Sequence, residues 1–92
     1  MQHRNWNEPA YAQWRKDIRK RDKYRCRWPG CNSKKRLEVH HIKTWDRHPT
    51  LRYSINNGIT LCKQCHTKIK GNEEGYEVFF LKLLDLEITV KL

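Results

Sequence analysis

No apolar run in the sequence approaches the roughly 20 residues needed to span a bilayer, and the opening, MQHRNWNEPAYAQW, lacks the apolar core of a secretory signal. The expectation is a soluble, cytoplasmic protein with no membrane partner. Internal repeats, low-complexity tracts and linker-like stretches are also missing, which leaves a single domain over residues 1–92. Acidic residues are scarce: ten Asp and Glu face twenty Lys and Arg, for a net charge of +10. The imbalance is local. Half of the acids (Glu73, Glu74, Glu77, Asp85, Glu87) follow Gly71, whereas twelve of the basic residues lie in positions 1–36 and eight between Arg15 and Arg27. A surface of that kind favours phosphate backbones, because each neutralised phosphate releases condensed counterions. The plain alternative is a solvated helix face that only keeps the protein soluble.

What is present suits a folded protein. Hydrophobic residues make up 37% of the chain and ten residues are aromatic, too many for a disordered tail. A chain of 92 residues nevertheless buries only about 60–65% of the surface it exposes when unfolded, so a staple is expected. Four cysteines offer one. They fall into two pairs, Cys26-Arg27-Trp28-Pro29-Gly30-Cys31 and Cys62-Lys63-Gln64-Cys65. Two or four intervening residues let a tight turn present both sulfurs to a tetrahedral Zn²⁺, and Pro29-Gly30 supplies the turn chemistry of the first knuckle. A disulfide framework would suit a secreted chain. Redox work by one Cys-x-x-Cys pair would leave the other pair idle. Structural zinc is therefore the expectation, with an apparent contribution on the order of 10 kcal/mol or more.

Along the chain, Asn7 can cap a helix whose first turn holds Glu8 and Pro9, with Tyr11, Trp14 and Ile18 at helical spacing. LEVHH, residues 37–41, reads as a strand, and Gly58 to Leu61 as a second. A helix is expected over about Lys63 to Lys70, ended by Gly71, with Asn72 capping the next. In that last helix Tyr76, Phe79, Phe80, Leu83 and Leu84 form an apolar stripe that reads as core. The closing EITVKL reads as a short edge strand or a loose tail.

Of the five histidines, His3 and His48 read as surface residues. His40 and His41 end the first strand, Asn57 begins the second, and His66 directly follows Cys65. A hairpin followed by a helix brings these three places together, so the side chains can converge. Adjacent strand residues face apart, so strand geometry alone does not explain why His40 and His41 stand side by side.

From about Trp14 to Lys70 the chain resembles the HNH endonuclease family, the zinc-stapled branch of the ββα-metal nucleases common in phage and mobile-element proteins. The resemblance is carried by Lys20-Arg21-Asp22-Lys23-Tyr24-Arg25-Cys26, Gly30-Cys31, LEVHHI, NNGITLC and CKQCH. It implies an α+β protein: a small ββα-metal (HNH) fold with a four-cysteine zinc site (Cys26, Cys31, Cys62, Cys65), flanked by an N-terminal and a C-terminal helix, with its core motif at about 20–70. It also implies a metal-dependent endonuclease that hydrolyses DNA phosphodiester bonds, by nicking or double-strand cleavage, to leave 5′-phosphate and 3′-hydroxyl ends. On this pattern His41 is the general base, His40 and His66 hold a catalytic divalent ion, and Asn57 either binds that ion or clamps the loop carrying His41; for ligand and base to reach one phosphate, the resemblance implies that the strand ends or twists sharply at His40. Many members have Asp at the position of His40; imidazole there suits Zn²⁺, Ni²⁺ or Mn²⁺, and a carboxylate suits Mg²⁺ better.

Imidazole, with an ordinary pKa near 6.5, is matched to taking a proton from water at neutral pH. Arg15, Lys16, Arg19, Lys20, Arg21, Lys23, Arg25 and Arg27, with Lys34, Lys35 and Arg36, are expected to hold the duplex by its phosphates without reading bases. The partner is DNA, with phage packaging proteins as a further expectation, and the protein is a monomer or weak dimer. The competing reading is a catalytically inactive zinc-ribbon DNA-binding or packaging-accessory protein. Such a scaffold needs only the cysteines, so the presence of His40, His41, Asn57 and His66 together weighs against it.

Overall fold

A single β-hairpin, covered on both faces, positions every residue discussed below. The computed structural model describes the backbone of residues 8–91 and side chains as far as Asp85. Its elements run α1 (Pro9–Arg21), β1 (Leu37–His41), β2 (Gly58–Cys62), α2 (Lys63–Ile69) and α3 (Glu77–Lys91), with single 3-10 turns at Pro49–Leu51, Ile55–Asn57 and Glu73–Tyr76. The strands pair antiparallel, with Leu37 opposite Cys62, Val39 opposite Thr60, His40 opposite Ile59 and His41 opposite Gly58. The expected α+β architecture, a ββα unit flanked by two helices, is what forms.

Helix α1 starts where Pro9 fixes φ and needs no amide partner, with Glu8 at the N-cap position making no side-chain capping bond. The expected cap Asn7 and the expected surface residue His3 lie outside the described residues. Tyr11, Trp14 and Ile18 form the buried stripe of α1. The helix ends as Lys23 and Tyr24 both turn left-handed (φ 57°) and the Tyr24 amide reaches back to the Arg19 carbonyl at 2.9 Å.

Strand alternation sorts the hairpin into two faces. On one, His41 and Gly58 lie under Trp14 and Ile18 of α1. On the other, Ile59 and Leu61 join Ile69, Phe80 and Leu84 in the larger hydrophobic cluster, which also takes in Cys26, Cys62 and Cys65. Tyr11, Trp14, Ile18 and Trp45 form the second cluster. All five residues of β2 are buried because helices cover both of its faces.

Three expectations are corrected. β1 does not end at His40: pairing is continuous through His41 and is extended by the Ile42 amide bonding the Asn57 carbonyl at 3.1 Å. A hairpin covered by helices on both sides can use both faces, so the strand need not stop there. Asn72 takes the N-cap position of the 3-10 turn Glu73–Tyr76 rather than of an α-helix, without a side-chain capping bond, and α3 begins only at Glu77. The segment EITVK is neither strand nor tail but the last part of α3, since nothing between Glu77 and Lys91 is a glycine or proline stop. The apolar stripe is core at Phe80 and Leu84, while Phe79 is exposed.

Candidate active site

Two sites lie at opposite ends of the hairpin. At the Leu37–Cys62 end, Cys26, Cys31, Cys62 and Cys65 bring their sulfurs within 4.8 Å of one another. None is in a disulfide. The first knuckle is shaped by Gly30 (φ 82°) and by the Cys31 amide bonding the Trp28 carbonyl at 3.0 Å; it is tied to the sheet by the Arg27 amide on the Thr60 carbonyl at 2.9 Å. The second knuckle is the turn from β2 into α2. Sulfurs about 2.3 Å from a tetrahedral zinc ion stand about 3.8 Å apart, and Cys31 Sγ and Cys62 Sγ are separated by 3.8 Å. The donor set therefore fits a structural metal ion. Without metal, burial pushes the Cys26 and Cys65 thiols up, whereas Cys62, although burial opposes it, is pulled down to about 7 by the Cys65 amide and the neighbouring thiols. Such a cluster holds its protons unevenly, and a divalent cation relieves it by displacing them.

At the other end lies a cleft of about 570 Å³ lined by His40, His41 and His66, with Trp45, Asn72 and Glu74 among the rest of its wall. Both strand histidines are buried, at 6% and 5% exposure, and they do face apart. His40 sits edge-on to His66 (ring centroids 5.2 Å) and to Phe80 (5.6 Å), on the α2–α3 side. His41 lies flat against Trp14 (4.0 Å, 14° between planes) on the α1 side. Both residues line the cleft, with His40 Nε2 and His41 Nδ1 themselves buried.

Hydrogen bonds settle which nitrogen of His41 and of His66 carries a proton. His41 Nε2 lies 2.8 Å from the Arg52 carbonyl. A carbonyl only accepts, so Nε2 donates and the lone pair of the neutral ring is on Nδ1. His66 Nδ1 donates to Glu38 Oε1 at 2.6 Å, so that in the neutral ring the lone pair is on Nε2, the arrangement usual for a metal-binding histidine backed by a carboxylate. Sequence reading missed Glu38. Glu38 and His40 are two apart on one strand and share a face, but that placement alone does not mark the carboxylate as the partner of His66.

Asn57 spends its amide on the loop between the strands. Its Oδ1 accepts from the Lys43 amide (2.7 Å), and its Nδ2 donates to the Lys43 and Leu51 carbonyls (3.1 and 3.0 Å). It is 3% exposed. All three of these bonds go to backbone groups of the loop between the strands.

The cations expected on a DNA surface divide into two groups. Arg21 bonds Asp22 and the Ile55 and Gly58 carbonyls, and Arg27 bonds the same carboxylate, whose Oδ2 also accepts from the Thr60 amide at 2.9 Å. Both are structural ties between α1, the first knuckle and β2. Arg15 stacks over Tyr11 at 4.7 Å. Arg19 is half-buried, while Lys16, Lys20, Lys23, Arg25, Lys34, Lys35 and Arg36 are, with that exception, the remaining members of the expected set and lie toward solvent to differing degrees. Lys68 lies over the Trp28 ring at 5.2 Å, and His48 is half-buried ahead of the first 3-10 turn. No helix among the described residues is long and apolar enough to cross a membrane.

A hairpin and short helix that surround paired imidazoles, stapled beside a four-thiolate knuckle, define the ββα-metal class of nuclease folds. The family model of the HNH endonuclease matches residues 24–72, more than half of the chain. The chain belongs to the HNH endonuclease family, a family of nucleases that use divalent metals. No curated protein and no solved structure matches it.

Proposed function

We propose that this protein is a metal-dependent DNA endonuclease in which His41 is the general base. The observation that carries the reading is the pairing of a tautomer-fixed His41 with the His40–His66 pair in one cleft. Zn²⁺ is the structural ion, because four thiolates at tetrahedral separation are its preferred donors. His40 and His66 Nε2 hold the second ion, which when bound supplies Lewis-acid neutralisation of charge on the phosphate and the leaving oxygen.

The protein's own groups do the remaining work. His41 Nδ1 takes a proton from the attacking water as the water oxygen bonds to phosphorus. The resulting imidazolium keeps its Nε2 donor on the Arg52 carbonyl and its face on Trp14, both favourable to positive charge. The P–O3′ bond breaks and the 3′ oxygen takes its proton from solvent, leaving 5′-phosphate and 3′-hydroxyl ends. Asn57 holds the loop that presents the Arg52 carbonyl. The exposed cations of the first 36 residues bind duplex phosphates; Arg21 and Arg27 support that surface from behind.

Supercoiled plasmid with Mn²⁺ should be nicked or linearised, and EDTA should stop the reaction. His41→Ala should keep both metals and lose roughly 10²–10⁴ in rate, the usual worth of a general base. His40→Ala should lose second-metal binding together with activity. A His41→Ala protein that cuts at the parent's rate refutes the assignment, and a parent that binds plasmid without cutting it leaves the scaffold reading in its place.

A further inference from the structure

We propose that Trp14, carried by a helix that ends before the residues matching the family begin, is a positioning residue for His41. The inference rests on the reading of His41 as base. Trp14 makes two contacts that converge on that side chain. Its indole lies parallel to the imidazole, with centroids 4.0 Å apart and 14° between planes. Its Nε1 donates to the Ser54 carbonyl at 2.8 Å.

The second contact matters because of where Ser54 is. The segment Leu51–Ser54 presents three carbonyls that are each held by a different side chain: Leu51 by Asn57, Arg52 by His41 and Ser54 by Trp14. Trp14 therefore holds the plane of the ring and, two residues further along, the strip of backbone that supplies its hydrogen-bond acceptor. Trp45, edge-on to His41 at 5.5 Å, closes the side next to that stack.

The indole is itself fixed in place. A Cβ at Gly58, the residue paired with His41, would stand 2.6 Å from Trp14 Cζ2 and 2.9 Å from Ile18 Cδ1. Glycine at the first position of β2 is what allows α1 to bring a flat ring down onto the strand. Tyr11 flanks the stacked pair, its ring 5.9 Å from the indole and 6.1 Å from the imidazole and within 16° of parallel to both. A tryptophan that merely filled core would need neither a parallel face on the histidine nor an anchor on the acceptor's own loop.

The test compares two apolar replacements of different shape. Trp14→Phe keeps a flat face for His41, whereas Trp14→Leu keeps bulk and loses the face. With zinc content and DNA affinity equal to the parent's, Trp14→Leu should lose roughly 10–10² in kcat, the scale expected when a catalytic group drifts from its productive position, with KM little changed. Trp14→Phe should recover most of that loss. Equal rates for the two variants overturn the inference, as does a loss confined to KM. The parent offers an independent reading should either variant fold poorly: long-range ¹H–¹⁵N spectra should show His41 as the Nε2–H tautomer, with ring protons shifted upfield by the indole. Ring protons at ordinary positions overturn it. His41→Ala is the control: if it cuts normally the base assignment has failed, whereas an inactive His41→Ala beside a fully active Trp14→Leu fails this inference alone.

Discussion

At the scale of single residues, the chemistry depends on polar groups that have little room to move. Asn57 satisfies two carbonyls and one amide at once, so Asn57→Ala leaves buried backbone groups without partners at about 1–3 kcal/mol each. We expect its Tm to fall by at least roughly 5 °C and its cleavage rate to fall with it; a thermal melt that overlays the parent's would show that the clamp contributes nothing. Glu38 meets the cleft through its bond to His66 Nδ1. Glu38→Ala should weaken binding of the second ion by roughly 10–100-fold, read by titrating Mn²⁺ into zinc-loaded protein, with cutting restored at high Mn²⁺. Unchanged Mn²⁺ affinity would remove Glu38 from the site. The histidines, Asn57 and the cysteines were legible in the sequence because their spacing around a hairpin is informative. Glu38 was not, because its partner lies 28 residues away and no local pattern marks a carboxylate as an imidazole's partner.

At the scale of elements, Asp22 joins three pieces that share no sequence neighbourhood: the end of α1 through Arg21, the first knuckle through Arg27, and β2 through the Thr60 amide. The carboxylate is fully buried, while its two arginines keep 23% and 19% side-chain exposure. Asp22→Asn preserves the shape but strands two guanidinium charges. It should cost about 3 kcal/mol, the lower end for breaking a buried pair, because both partners retain some water. A urea midpoint equal to the parent's would refute this. Counting charges could not tell Arg21 and Arg27 from the lysines around them, because inward and outward cations look alike in a basic run. Helix α1 and both strands were readable from period and composition. The end of α3 was not: Ile88, Thr89 and Val90 favour a strand in isolation, but a helix already under way with no stop residue carries them along.

At the scale of the whole molecule, the larger hydrophobic cluster includes three of the four clustered cysteines, so a metal held by those thiolates would be continuous with the core. Mild EDTA should abolish cutting while far-UV circular dichroism is unchanged. Stripping the thiolate ion with a stronger chelator should then unfold the chain cooperatively, since such an ion is worth on the order of 10 kcal/mol in small zinc domains. Retention of native dichroism after elemental analysis shows no zinc would refute that dependence. The hairpin between the two clusters has a further consequence. Being one sheet thick, it works as a party wall, with His40 facing one room and His41 the other. Repacking either room changes the surroundings of one histidine and leaves those of its neighbour, so the two imidazoles can be retuned along nearly separate mutational routes.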